Sequence, residues 1–235
     1  MNKTGETFDQ LASTYLRDTD QTSYYNALYE RPAMLDEIPK DLQDVRVLDA
    51  GCAAGWYSEQ LTERGASVTG VDVSGKMVQA AEERLKGKAE FLQHDLEEPF
   101  PFEDQTFDWI ISSLTLHYIK DWSEVFQQFH RLLKPDGILL FSVHHPFMDF
   151  TRMNAENYFE NKQLTDRWHK PSVTLDVRFY RRSMQDIVNV TTSSFQLDHI
   201  MEPRPLSELK DLDKKNYDYL MTHPHFLIVK AVKRS

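Results

Sequence analysis

Short apolar runs alternate with amphipathic stretches across residues 45–143. Runs rich in β-branched residues at 45–48, 68–71, 89–92, 107–112 and 137–143 predict strands. Between them, 55–63, 74–85 and 122–133 carry apolar positions at helical spacing. The last of these stops at Lys134-Pro135-Asp136-Gly137, a turn that closes a helix and feeds a strand. Strands and helices in alternation build a parallel sheet covered by helices on both faces. Upstream, Phe8, Leu11 and Tyr15, then Tyr24, Tyr25, Leu28 and Tyr29, predict short amphipathic helices. Pro32 opens a further helix to Ile38, and Pro39 ends it.

After His145 the pattern breaks. Residues 146–170 hold aromatics and charges with little periodicity, and a connection of that length predicts a lid. Alternation returns at 173–180 as a strand, followed by a helix near 183–191, strands at 195–201 and 226–232, and a charged helix over 206–221.

A chain of 235 residues suits one domain with an elaboration. Its net charge of −10 opposes a phosphate backbone, so nucleic acid is not the expected partner. The single cysteine, Cys52, excludes an intramolecular disulfide and a thiolate zinc site. No apolar run approaches ~20 residues, and the first residues lack the apolar stretch of a signal peptide. The expectation is a cytoplasmic protein without a membrane span.

The richest chemistry lies in "VLDAGCAAGWYSEQLTERGASVTGVDVSGKM", residues 47–77. A strand ends at Asp49, a loop of small residues follows, and a second strand ends at Asp72. Small residues let a loop approach a ligand at the carboxyl ends of the strands, and an acid after the second strand accepts from ribose hydroxyls. A pyrophosphate cradle needs Gly-x-Gly-x-x-Gly. Here Ala53 and the short Gly51…Gly55 spacing break that pattern, and Asp49 sets a negative charge where an anion would lie. The loop therefore suits a nucleoside ligand with an ammonium or sulfonium group.

Four features occur in order: Asp49-x-Gly51-Cys52-x-x-Gly55, Asp72 in "GVDVSGKM", Asp95 in "FLQHDLEEPFPFEDQTFDWIISSLTLHYI", and "FHRLLKPDGILLFSVHHP". Together they resemble a class I S-adenosylmethionine-dependent methyltransferase of the small-molecule branch called type 11, over residues 8–146 and more loosely the C-terminal strands. The resemblance implies a Rossmann-like, doubly wound, seven-stranded, mainly parallel sheet with helices on both faces. Its last strand is antiparallel, an N-terminal helical cap covers it, and an insertion follows strand five. The corresponding division is 1–40, cap; 41–145, cofactor-binding core; 146–182, lid; and 183–235, the rest of the sheet.

Carried over residue by residue, the resemblance implies that Asp49, Gly51 and Cys52 border the methionine part, with Asp49 helping to hold its amino group. Asp72 would bind the ribose, with Val73 and Met77 near the adenine. Asp95 would accept from the adenine amino group, the Leu96 amide would meet a ring nitrogen, and Ser113 would lie under the methionine part. Ala53 departs from the family, which has glycine there.

Methyl transfer from a sulfonium is an in-line displacement whose leaving group is already activated, so a base is needed only for an acceptor that must lose a proton. His117 and then His144 are the candidate bases, because imidazole titrates near neutral pH. Tyr15, Tyr24, His117 and His145 are candidates to touch a small-molecule acceptor. No carboxylate stands at ligand spacing beside the histidines, so no metal is expected. "ISSLTLHY" after strand four lacks the Asn/Asp-Pro-Pro-Tyr of enzymes that methylate bases or glutamine. The alternatives are a non-catalytic binder of S-adenosylmethionine or S-adenosylhomocysteine, and a dinucleotide-dependent oxidoreductase.

Overall fold

A computed structural model of the protein describes residues 3–14, 23–170 and 173–234. Seven strands form one sheet in the order β3-β2-β1-β4-β5-β9-β8. They are β1 (Arg46–Ala50), β2 (Ser67–Asp72), β3 (Glu90–Gln93), β4 (Phe107–Ser113), β5 (Leu133–His144), β8 (Gln196–Met201) and β9 (Phe226–Val232). β1 to β5 pair in parallel. β9 runs antiparallel to both β5 and β8. Strand order reverses between β1 and β4, where an open sheet splays its carboxyl ends and leaves a crevice.

Side chains that alternate along each strand build the two faces. Leu48, Ile110, Leu139 and Val229 pack on one side with Phe126 and Phe129 of α5 (Ser123–Leu132) and Ile187 of α7 (Met184–Ser194). Their neighbours Val47, Ile111, Leu140 and Ile228 pack on the other with Met34 of α2 (Arg31–Asp36) and Leu61 of α3 (Trp56–Glu63). Each such buried side chain stabilises the fold by about 2 kcal/mol. α4 (Gly75–Leu85) begins at Ser74, whose Oγ accepts from the Met77 amide at 3.1 Å.

α1 (Lys3–Thr14) lies over α4: Leu11 and Ala12 pack against Ala54, Met77 and Ala80. Asp9 fastens it there, accepting from Ser74 Oγ at 2.5 Å and from the Lys76 amide at 3.2 Å.

Residues 146–170 are not the unpatterned connection that the sequence predicts. They contain α6 (Pro146–Arg152) and β6 (Lys162–Lys170), which pairs with β7 (Val173–Arg181) as a separate antiparallel hairpin. Along β6 Leu164, Asp166 and Trp168 are half-buried between exposed neighbours, but the polar Asp166 between the two apolar residues breaks the alternation a sequence pattern would register. Arg181, fully buried, anchors the hairpin's base by donating to the carbonyls of Asn157 (2.5 Å), Tyr158 (2.7 Å) and Glu160 (2.8 Å). The predicted helix at 206–221 is two short helices, α8 (Glu208–Leu212) and α9 (Lys214–Leu220). They divide at Asp213, which leaves helical geometry and caps α9 by accepting from the Asn216 amide at 3.0 Å. Among the described residues no helix is long and apolar enough to cross a membrane.

Candidate active site

The loop after β1 turns tightly enough to need unusual backbone. Gly51 (φ +86°), Ala53 (φ +45°) and Gly55 (φ +78°) all occupy the left-handed region. A Cβ on Gly51 would stand 2.2 Å from Thr115 Oγ1, so only glycine fits against the turn after β4. The amides of Gly51 and Cys52 donate to Val71 O at 2.8 and 2.9 Å, which binds the loop to the end of β2.

Asp72 completes that attachment. One carboxylate oxygen accepts from the Ala53 amide at 3.0 Å, and the other from the Ser74 amide at 2.8 Å. A carboxylate has about four acceptor positions, so two remain for a ligand. Burial pushes the Asp72 carboxyl up to about 6, against the two amide donors that favour its charge.

These elements enclose a cavity of about 130 Å³. Gly51, Cys52, Asp72, Val73, Asp95 and Leu96 line it, as does Ser113. The strand order sets them out in a row: Asp95 beyond β3, Asp72 at β2, Gly51 at β1 and Ser113 at β4. Neighbouring strands lie about 4.8 Å apart, so the row suits an elongated ligand laid across the strand ends. Burial, together with Asp49 and Asp72, raises the Cys52 thiol well above its usual value, which keeps it unreactive.

Two predicted contacts lie outside the lining. Asp49 shares the face of Val47, toward α3, is 1% exposed, and accepts from Ser58 Oγ at 2.7 Å. Burial pushes its carboxyl up to about 7, so it does not present the firm negative charge expected at the loop. Met77 is fully buried under α1 with Leu11 and Ala80.

The histidines also lie apart from the cavity lining. His117, 2% exposed, stacks on His144 with ring centroids 4.0 Å apart. Neither ring nitrogen of His117 has a hydrogen-bond partner among the described residues. Burial drives its pKa well below the ordinary value, which favours the neutral ring. His144 Nδ1 stands 3.4 Å from buried Asp149. His145 caps α6: Nδ1 accepts from the Phe147 amide at 3.1 Å, which leaves Nε2–H to donate to Glu202 at 2.9 Å. Tyr24 is 37% exposed and does not line the cavity, and Tyr15 lies outside the described residues. Among the described residues no group of His, Cys, Asp or Glu is placed to hold a metal ion.

Sequence reasoning missed Glu30 and Arg31, which line the cavity with Trp56 and Tyr57. Glu30 ends a π-helical turn, Asn26–Glu30, that leads into α2. Its carboxylate accepts from Tyr57 Oη (2.8 Å), Ser113 Oγ (2.8 Å) and Ser142 Oγ (2.5 Å). The Arg31 guanidinium lies 4.0 Å over the Trp56 ring.

A second cavity of about 580 Å³ adjoins the first and shares Thr4, Phe8, Glu97 and Tyr118 with it. It lies between α1, the turn around Lys120 and the hairpin residues Gln163, Asp176 and Arg178, and most of its lining residues are polar or charged, although their apolar atoms make up the larger share of its wall. Arg182 steadies that turn by donating to the carbonyls of Ile119 and Lys120 while stacking 4.3 Å over Trp122.

Residues 48–141 match the family described as "Methyltransferase domain". An uncharacterized protein of Haemophilus influenzae is 28% identical over 236 residues, which is 88% of each chain. A malonyl-[acyl-carrier protein] O-methyltransferase of Erwinia pyrifoliae is 38% identical over 99 residues, covering 42% of this chain and 37% of that protein. A crystal structure of a Listeria monocytogenes protein, classed as an S-adenosylmethionine dependent methyltransferase, superposes with a TM-score of 0.76. It is 28% identical, and the superposition covers 88% of this chain and 97% of that one.

Proposed function

We propose that this chain, a class I S-adenosylmethionine-dependent methyltransferase, methylates a hydrophilic small molecule that bears a carboxylate and enters through the polar groove beside the cofactor cavity. S-adenosylmethionine supplies a methyl group already activated by the positive charge on its sulfur. The residues around it have to align the partners and exclude water.

The two open acceptor positions of Asp72 suit the ribose hydroxyls, and Val73 packs beside the adenine. Asp95 suits the adenine amino group and the Leu96 amide a ring nitrogen. Gly51, Cys52 and the Ser113 backbone border the methionine part. Met77 supports this floor from below, and Asp49 stiffens the loop through Ser58. In this reading residues 1–40 cap the cofactor, 41–145 hold it, 146–182 wall the acceptor side and 183–235 complete the sheet. The reaction is assigned to the cytoplasm, in keeping with the free thiol of Cys52.

The observation that carries the acceptor assignment is that the groove adjoins the cavity, with Phe8 and Tyr118 lining both. Lys120 and Arg178 line the groove without an ion partner among the described residues, whereas Asp176 pairs with Arg167 at 3.4 Å. Glu6 of α1 and Glu97 of the loop after β3 also line the groove. Among the described residues no histidine lines either cavity, which favours an acceptor that needs no base. A carboxylate is such a nucleophile, being ionised at neutral pH. His117 and His144 then serve packing rather than proton transfer.

The test is incubation with methyl-labelled S-adenosylmethionine and a polar metabolite extract. Label is expected on compounds that an anion exchanger retains before the reaction and releases after it, because esterification removes a charge. Label confined to apolar compounds, or no transfer at all, overturns the proposal.

A further inference from the structure

The groove beside the cofactor cavity carries charges of both signs, each from a different element. Lys120 stands in the turn after β4 and Arg178 on β7, while Glu6 comes from α1 and Glu97 from the loop after β3. All four are exposed, and none has an ion partner among the described residues. Their positions differ. Glu97 lines both the cavity and the groove, so it stands where the two adjoin. Tyr118 also lines both, and Lys120 follows closely behind it in the chain. Arg178 and Glu6 line the groove alone.

The two cations also rise from different places. Arg182, just past the end of β7, donates to the Lys120 carbonyl. Arg178 lies earlier on the same strand, about 13 Å back from Arg182 at the usual rise of extended chain. An acceptor that engages both cations therefore carries two acids, and the glutamates offer a place for a positive group. We infer that the acceptor is an acidic amino acid, or a derivative that keeps its amino group and both acids, with the ammonium against Glu97, the reacting carboxylate beside Lys120 and the second acid on Arg178. The inference rests on the carboxylate reading above and deepens it. Such a molecule has one net negative charge at neutral pH and none once one acid is esterified.

The pairing also decides which atom reacts. An unprotonated amine would compete with the carboxylate for the methyl group, but an ammonium has no lone pair to offer. A carboxylate beside it favours that protonated form. Partial burial, with Asp95, Asp121 and Glu98 nearby, raises the Glu97 pKa, so its surroundings are short of positive charge. An ammonium supplies it. The acceptor's carboxylate oxygen then bonds to the methyl carbon as the carbon–sulfur bond breaks. The electron pair of that bond stays on sulfur, and no proton moves.

The test gives the whole chain methyl-labelled S-adenosylmethionine and a polar metabolite extract in two forms, untreated and N-acetylated. Acetylation removes ammonium charges and leaves carboxylates. Transfer is expected to fall by about tenfold or more in the acetylated extract. Mild base should release the label as methanol, the mark of an ester. Glu97→Gln is expected to erase most of the preference for the untreated extract, and because Glu97 is exposed the variant should fold normally. Arg178→Met is expected to lower transfer to the untreated extract, with Arg178→Lys restoring part of it. Equal transfer to both extracts, or a preference that Glu97→Gln leaves unchanged, overturns the ammonium contact and leaves the carboxylate reading standing. No loss with Arg178→Met overturns the second acid. Label that resists base, or no transfer to either extract, overturns both readings.

Discussion

Asp49 and Asp72 show how two acids at strand ends acquire different tasks. Asp72 faces the cavity and holds two backbone amides, while Asp49 is turned toward α3 and meets one serine. The carboxyl of Asp49 is raised from 3.8 to about 7, so its proton is held more tightly in the folded than in the unfolded chain. Its contribution is therefore fully present below the unfolded value and is lost as pH rises through the folded one. Asp49→Asn, which keeps an acceptor for Ser58, is expected to raise the melting temperature above pH 7, where up to about 4 kcal/mol is at stake. The gain should fade as pH falls toward 4; an equal gain at both ends of the range would contradict it. The strand-end acids are legible in sequence because each follows an apolar run. Glu30 is not, since its partners Tyr57, Ser113 and Ser142 lie 27, 83 and 112 residues away, and no local pattern records them.

The glycine loop is the element on which the cofactor assignment turns. Its composition is readable because backbone conformation, not packing, selects the residues: Gly51 and Gly55 have positive φ, and Gly51 also lacks room for a Cβ. Ala53 occupies the same region at φ +45° with a methyl group that glycine would not carry. Ala53→Gly should therefore stabilise the chain by about 0.5–1 kcal/mol without weakening S-adenosylhomocysteine binding, as thermal melts and titration would show. A loss of affinity would mean that the methyl group itself touches the ligand. The β6–β7 hairpin teaches the reverse lesson. Its β7 strand alternates and is predictable, whereas the half-buried face of β6 carries Asp166 between Leu164 and Trp168 and reads as loop.

At the scale of the molecule, a Rossmann-like sheet carries the first cavity at its strand ends, and an attached hairpin lines the groove beside it. Arg181 is the hinge of that attachment, since its three carbonyl partners lie in the segment that leads into β6. Arg181→Leu removes all three of these hydrogen bonds from a buried guanidinium's site and should cost about 3 kcal/mol. Hydrogen exchange should rise first in the hairpin and the segment before it, with β1 and β4 protected. Uniform exchange across the sheet would show that the hairpin is not a separate cooperative unit.

The place of β9 sets an order of assembly. β9, made after the other six strands of this sheet, enters it between β5 and β8. Until it arrives, one edge of β5 stands open and β8 has no neighbour, so a nascent chain carries an unfinished edge that invites pairing with other chains. The cofactor end, built from β1 to β4, can close early, but the sheet is sealed only when synthesis has passed Val232.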